Sequence, residues 1–334
     1  MTTERGWANS ALLIANPQAG TRDRRRLDEV VDHCARLVPQ LHVVHTEYPG
    51  HAEERAAKAA ESVTDALIVL GGDGTTREAA SGLARSGVEP PRRPAMLNLP
   101  FGTGNSFYRE IWADSPWQQV LDRALTGARP RLRHVDMAHI REIDALALLG
   151  AGSGMVADVL ERAHGMFDVQ GRDRYQRAVA ELLGAYTPYE GRVSVDGEVV
   201  HEGAVTLVNV GGGRYRAGRF QLLPHSVIDD GLLDVCVVGG ETGVAELAGL
   251  TQDGSHLGRP GVVYARGTRI VIERTDGRPL SFEHDGELRT SEASGYTIDV
   301  LPGVLPVLAP AARNPAVDRS RGSRSGASGE AHRP

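Results

Sequence analysis

Cysteine and lysine are almost absent from this chain of 334 residues. Its two cysteines, Cys34 and Cys236, lie far apart, which excludes a disulfide framework and a zinc site with paired cysteine ligands. This usage indicates a reducing compartment, for which the cytoplasm is the default. Lys58 is the single lysine, so the chain has neither a Gly-Lys-Ser/Thr phosphate loop nor the strand lysine of protein kinases. Any bound nucleotide must be held by backbone amides, arginines and a metal ion.

Long apolar runs are also missing. Residues 1–10 lack the apolar segment of a signal peptide, and nowhere do about 18 apolar residues follow one another, as a membrane-spanning helix requires. The net charge of −6 argues against attraction of the whole surface to nucleic acid or anionic lipid. We therefore expect a cytoplasmic protein whose contact with the inner face of the membrane, if it has one, is peripheral. The arginines within residues 22–26 form one patch suited to such contact.

A glycine-rich turn follows the apolar residues 66–70. These residues predict a buried strand, Gly71-Gly72-Asp73-Gly74-Thr75 predicts a tight turn, and the sequence from residue 75 to 83 is compatible with a helix. The turn would place free backbone amides and a helix N-terminus at the strand end, which is typical of a phosphate site. Asp73 would repel phosphate unless Mg²⁺ lies between them or the carboxylate handles a proton. The plain alternative is a turn in which Asp73 caps the helix.

Strands and helices alternate through residues 10–128. This alternation predicts a parallel sheet with helices on both faces, whose ligands bind beyond the C-terminal ends of the strands. Residues 16–20, Thr46 and residues 71–78 would meet at that edge, and a second glycine turn at residues 100–106 would join them. Two glycine turns at one edge suit a polyphosphate. The second turn is also explained by a simple loop in which Asn105 or Ser106 caps the next helix.

From about residue 129 the sequence changes to shorter alternating segments broken by glycine. This predicts a mainly antiparallel second domain, interrupted by one helical insert at about residues 155–186. The glycines at residues 150–154 lack the third glycine of a dinucleotide fingerprint, and we interpret them as close backbone packing. Residues 311–334 have almost no large apolar side chain and are predicted to be disordered.

An acidic turn lies around Gly231. Asp229, Asp230 and Asp234 make this turn acidic enough to hold a hard cation. A solvated acidic turn explains the same residues.

These motifs, taken in order, resemble the diacylglycerol kinase catalytic family, which includes bacterial soluble lipid kinases and shares its pattern with sphingosine kinases. The matching residues are Asn16-Pro17 through Gly20, Gly72-Asp73-Gly74-Thr75 with Glu78, Gly102-Thr103-Gly104-Asn105, Val135-Asp136, Asp230-Gly231-Leu232-Leu233-Asp234 and Asp285-Gly286-Glu287. The resemblance covers about residues 10–310. It implies an α/β ATP-binding domain at residues 10–128, resembling those of phosphofructokinase and NAD kinase. A β-sandwich lipid-substrate domain would follow at residues 129–310, with the site in the cleft between them.

The resemblance also implies roles for individual residues. Asp73 would handle the metal-bound nucleotide, Asp136 would join it in a network of water and Mg²⁺, and Glu287 would be the general base. A structural Mg²⁺ is implied at Asp230, with backbone carbonyls near Val227 and Leu232. The residues implied to contact ATP are Asn16, Pro17, Gln18, Ala19, Gly20, Thr46, Gly72, Asp73, Gly74, Thr75, Thr76, Arg77, Glu78 and Thr103.

Two positions depart from the family pattern. Ser106 stands where the family often has aspartate, so a carboxylate that helps to position the metal or the acceptor is missing. Thr21 follows Gly20, whereas related kinases often have a lysine near this loop, so Arg22 or Arg24 would supply the positive charge. Lower activity or a different acceptor would follow.

The resemblance implies an ATP- and Mg²⁺-dependent kinase for a lipid hydroxyl. The acceptor would be diacylglycerol or a related lipid, such as a sphingoid base or monoacylglycerol, met at the membrane surface. Nucleic acid is not expected as a partner, and a homodimer is left open. Two alternatives remain: an NAD kinase-like enzyme, which also uses Gly-Gly-Asp-Gly, and a catalytically silent protein that binds lipid or nucleotide.

Overall fold

The structure is a computed structural model that describes residues 6–19, 24–166, 172–183, 186–218, 220–241, 247, 249–289 and 291–310. Gly20, Thr21, Arg22 and the tail at residues 311–334 lie outside the described residues. The predictions made for them are therefore not addressed by the structure.

Four parallel strands form the first region of the sheet, in the spatial order β4-β3-β1-β2. They are β1 (Ser10–Ala15), β2 (Gln40–His45), β3 (Ala66–Gly71) and β4 (Ala95–Pro100). The helices between and after them are α1 (Arg24–Leu37), α2 (His51–Ala60), α3 (Asp73–Arg85), α4 (Ser106–Trp112) and α5 (Trp117–Leu125). Strands β1, β3 and β4 are buried along almost their whole length, as parallel strands covered by helices on both faces are.

The second region is antiparallel and β-sandwich-like. Its strands are β5 (Leu132–Ile140), β6 (Ala145–Ala147), β7 (Ala151–Gly154), β8 (Tyr189–Val195), β9 (Glu198–Gly211), β10 (Leu233–Gly239), β11 (Val262–Gly267), β12 (Arg269–Arg274), β13 (Phe282–His284), β14 (Glu287–Arg289) and β15 (Gly295–Leu308). The predicted helical insert is present as α6 (Met155–His164) and α7 (Arg172–Leu183). The predicted fold class, a parallel α/β region followed by a β-sandwich, is confirmed.

Strand β15 joins the two regions into one sheet. It pairs antiparallel with β5 and β12, and near its end Val307 pairs in parallel with Met96 of β4. Leu305, Val307 and Leu308 accordingly pack in the core of the first region. A separate core fills the second region, where the ring of Phe282 stacks on that of Tyr296. The domain limits at residues 128 and 310 stay predictions.

Glycines 150 and 152 lie where the backbone is crowded. A Cβ added to Gly150 would lie 1.9 Å from the Val210 carbonyl oxygen, and one added to Gly152 would lie 2.9 Å from that of Val208. Their interpretation as close backbone packing is confirmed. Among the described residues, no helix has both the length and the apolar character needed to cross a membrane.

Candidate active site

The two glycine turns meet at the C-terminal ends of β3 and β4. Gly71 pairs with Pro100 in the sheet, and the Phe101 amide donates to the Gly71 carbonyl at 3.0 Å. A Cβ added to Gly102 would lie 2.4 Å from the Cα of Gly72, so the two backbones touch and no side chain fits between them. The predicted meeting of both turns at one edge is confirmed.

Asp73 connects the two turns. Its oxygens accept hydrogen bonds from the amides of Ser106 (3.0 Å) and Phe107 (3.1 Å), the first residues of α4. The N-cap of its own helix, α3, is Gly72, so Asp73 caps the neighbouring helix instead. Burial raises the pKa of Asp73, and the two amides oppose that shift. The carboxylate therefore fixes the second turn relative to the first.

The loop after β1 reaches the same edge. Asn16 donates from Nδ2 to the Thr75 hydroxyl at 2.9 Å and accepts from the Gln18 amide at 2.9 Å. The amide of Thr46, at the end of β2, donates to the Ala15 carbonyl at 2.8 Å. Thr76 is buried and its hydroxyl donates to the Gly72 carbonyl, so that side chain holds the turn rather than facing a ligand.

The other residues implied to contact ATP share this edge but differ in exposure. Pro17, Gln18, Gly74 and Thr103 are exposed, and Ala19, Thr46, Gly72 and Glu78 are half-buried. The structure thus brings the described members of the set to one sheet edge. Their contact with ATP stays a prediction.

Glu287 approaches this edge from the second region. Arg77 of α3 pairs with Glu287 Oε1, and Arg289 donates to Oε2 at 2.9 Å. Arg289 is itself held by His284, whose Nε2 accepts its Nε–H at 2.8 Å. The implied general base is therefore tied to the helix that begins at the first glycine turn.

The hairpin that carries Glu287 turns at Asp285 and Gly286. Both residues have positive φ, +48° and +82°, as a two-residue hairpin turn requires. The Asp285 carboxylate accepts from the amides of Leu148, Leu149 and Gly150 at 2.7 to 3.0 Å, which anchors the turn. An Asp-Gly pair is a strong hairpin signal. Asp285-Gly286 therefore indicated the β13–β14 hairpin in the sequence, although we did not predict these two strands.

Asp136 and Asp230 lie at a different turn. Asp136 accepts from the amides of Gly231 (2.7 Å) and Gly303 (2.6 Å), so its oxygens hold two loops of the second region. Asp230 accepts from the Leu232 amide at 3.2 Å and pairs with Arg266. The network that would join Asp136 to Asp73 stays a prediction.

Both oxygens of the Asp230 carboxylate have protein partners in this structure. The guanidinium of Arg266 occupies Oδ2 of Asp230, and the amide of Leu232 occupies Oδ1. Among the residues that the structure describes, no three His, Cys, Asp or Glu side chains gather in a group that could hold a metal ion. The structural Mg²⁺ implied at Asp230, with the carbonyls of Val227 and Leu232, stays a prediction.

A loop of the second region covers α4, and sequence reasoning did not predict it. We call residues 211–218 the strap. Arg214 binds Glu110 of α4 through its amide (3.0 Å) and its Nε (2.9 Å), and the Gly218 amide donates to the Ser106 hydroxyl at 2.8 Å. On the other side of the second turn, the guanidinium of Arg26 lies 4.4 Å from the centre of the Phe101 ring.

Glu283 lies on β13, in the hairpin that carries Glu287, and its burial predicts that the stability of the protein depends on pH. It is 6% exposed and accepts from the Gly286 amide at 2.9 Å, and burial raises its pKa from 4.5 to about 7 despite nearby Arg216. The pKa of Glu283 is higher in the folded protein than in the unfolded chain. Its contribution to the free energy of unfolding is therefore fully present below about pH 4.5 and is lost as the pH rises through about 7.

The variant Glu283→Gln keeps the shape of the protonated acid. Between about pH 5 and pH 8.5 we expect the free energy of unfolding of the variant to rise relative to wild type by on the order of 3 kcal/mol. Denaturant unfolding of both proteins at the two pH values measures this difference. An identical difference at both pH values would show that the pKa of Glu283 in the folded protein is not raised above its value in the unfolded chain.

Comparisons with known proteins agree with this geometry. Residues 10–140 match the family profile described as the diacylglycerol kinase catalytic domain, and residues 150–309 match the YegS C-terminal NAD kinase beta sandwich-like domain. The chain is 27% identical over 285 residues to the diacylglycerol kinase of Staphylococcus carnosus, covering 83% of this chain and 90% of that protein. It is 29% identical over 318 residues to the "Probable lipid kinase YegS-like" of Stenotrophomonas maltophilia, covering 93% and 98%.

A solved structure from Bacillus anthracis str. Sterne, provisionally named a diacylglycerol kinase, shares the fold. It superposes with a TM-score of 0.73 at 25% identity and covers 92% of this chain and 99% of its own. The two profiles match in order along almost the whole length that carries the predicted motifs. The chain therefore carries the diacylglycerol kinase catalytic domain at residues 10–140, followed by the YegS C-terminal domain at residues 150–309.

Proposed function

We propose that this protein is an ATP-dependent lipid kinase that transfers the γ-phosphoryl group to a hydroxyl of diacylglycerol or a related lipid. One observation carries the proposal: two glycine turns touch at neighbouring strand ends, and Glu287 from the second region is tied to the helix that follows the first turn. The match to the diacylglycerol kinase catalytic domain supports it. The acceptor and the use of ATP are the parts that need measurement.

Backbone amides and arginines would hold the nucleotide. Exposed or half-buried glycines 72, 74 and 104 leave the backbone of both turns open to phosphates, as loops without lysine require. Arg26, seated on Phe101, adds a positive charge at the rim of the second turn. Mg²⁺ would arrive with ATP as part of the substrate and neutralise charge on the phosphates.

Phosphoryl transfer needs little covalent chemistry from the protein. The acceptor oxygen would attack Pγ in line, a new O–P bond would form, and the bond from Pγ to the bridging oxygen of ADP would break. Glu287 would accept the hydroxyl proton late in this step, and the acceptor would approach from the second region, which supplies Glu287. Positioning by the two turns would contribute most of the rate.

An assay with γ-labelled ATP tests the proposal. The wild-type protein is incubated with ATP, Mg²⁺ and one acceptor at a time: diacylglycerol, monoacylglycerol or a sphingoid base in mixed micelles, and NAD in solution. We expect label in at least one lipid, with the product identified by mass, and none in NAD. Label in NAD alone would favour an NAD kinase. Label in no acceptor, with ATP binding intact, would favour a silent binding protein.

A further inference from the structure

The strap is hydrogen-bonded to α4 near both ends of that short helix. Glu110, near its C-terminal end, accepts from the amide and Nε of Arg214. Ser106, its first residue, is fully buried, and its hydroxyl accepts the amide proton of Gly218 at 2.8 Å. The second region is thus fastened directly to the helix that follows the second glycine turn.

Ser106 also belongs to the junction between the two glycine turns. Its own amide donates to Asp73 at 3.0 Å, so one residue bonds the first turn through its backbone and the strap through its side chain. The fit on the strap side is close, since a Cβ added to Gly218 would lie 2.6 Å from the Gly104 carbonyl oxygen. Three segments distant in sequence therefore meet at this one serine.

We propose that Ser106 is a positioning residue whose hydroxyl holds the strap against the second glycine turn and so keeps that turn in the geometry that binds nucleotide. This inference rests on the proposed function, because it assigns the turn to ATP. The serine is suited to the position: its neutral hydroxyl accepts the Gly218 amide without adding charge. An aspartate, which the family often has here, would place a second carboxylate beside Asp73 in a fully buried position, where like charges repel unless a cation lies between them.

Ser106→Ala separates this role from a purely structural one. The variant keeps the amide contact with Asp73 and loses the two bonds of the hydroxyl, those to Gly218 and to the Asp73 carboxylate. We expect exchange of the Gly218 amide hydrogen to accelerate on the order of tenfold, and the affinity for ATP to fall by a similar factor. Hydrogen exchange followed by NMR and calorimetric titration with MgATP measure the two effects in the full chain.

Ser81→Ala is the matched control. Ser81 is also buried, in α3, and among the described residues none hydrogen-bonds its hydroxyl. Removing that hydroxyl should change neither Gly218 exchange nor ATP affinity. If the alanine variant does not fold, Ser106→Cys replaces it in the experiment. Cysteine is close to serine in volume and is a weaker hydrogen-bond acceptor, so Gly218 exchange should again become faster and ATP affinity should again fall.

Three results would overturn the proposal. Unchanged Gly218 exchange would show that the hydroxyl does not hold the strap, and faster exchange with unchanged ATP affinity would leave the hydroxyl without a positioning role. A Ser106→Asp variant that is as stable as wild type in the absence of Mg²⁺ would contradict the argument about charge. Failure of the proposed function looks different: wild type would label no lipid, whereas Gly218 exchange would still respond to Ser106→Ala.

Discussion

Asp73→Asn is expected to lower the rate of lipid phosphorylation on the order of 100-fold or more. The asparagine has one oxygen where the carboxylate has two, so either the Ser106 or the Phe107 amide loses its acceptor. The variant also removes the negative charge that the proposed mechanism uses to handle the metal-bound nucleotide. Loss of one buried hydrogen bond to a charged group should reduce the free energy of unfolding by about 1 to 3 kcal/mol.

Asp65→Asn provides the comparison for Asp73→Asn. Asp65 also accepts from two successive amides, those of Asn9 (2.8 Å) and Ser10 (2.9 Å), but it lies at the opposite edge of the sheet, before β3. Both amides bond Oδ2 of Asp65, so one asparagine oxygen can still accept both and the variant loses mainly the charge of the acceptor. We expect a smaller loss of stability than in Asp73→Asn, and the wild-type rate. Initial rates with saturating ATP and thermal unfolding of both variants separate the two effects. If the two variants lose rate equally, Asp73 contributes only to folding.

The parallel region could be predicted from sequence because its signals are local. Apolar runs at residues 11–15, 66–70 and 94–99 match β1, β3 and β4 to within a residue or two. A glycine turn follows each of the latter two strands, and parallel strands place their C-terminal ends at one edge, so the meeting of both turns followed from topology. The second region was less predictable because the three-residue strands β13 and β14 are too short to show alternation.

The contacts that shape the site depend on residues far apart in the chain. The sequence around residues 101–106 predicted a cap from Asn105 or Ser106, but Asn105 bonds within its own turn and the cap comes from Asp73. Likewise, arginines from other strands pair with the acidic turn near Gly231: Arg133 of β5 pairs with Asp229, and Arg266 of β11 pairs with Asp230. Such partners are set by strand register and loop packing, which no local pattern encodes.

Glu287→Gln is expected to lower kcat by about 10²-fold or more, because a positioned general base contributes roughly 10²- to 10⁴-fold. KM for ATP should change little, since Glu287 faces the acceptor hydroxyl in the proposed mechanism. The expected stability change is small. The Glu287 side chain is 43% exposed, and an ion pair at such a position contributes about 1 kcal/mol or less.

Glu273→Gln distinguishes a base from an ion-pair partner. Glu273 lies on β12, is 39% exposed and pairs with Arg192 at 3.1 Å. The variant Glu273→Gln therefore removes the same charge from a similarly exposed ion pair. Steady-state kinetics should show wild-type kcat for Glu273→Gln and the large loss for Glu287→Gln, with both proteins unfolding near the wild-type temperature. Equal kcat in the two variants would reduce Glu287 to a link between Arg77 and Arg289, and the acceptor proton would then have to leave by water.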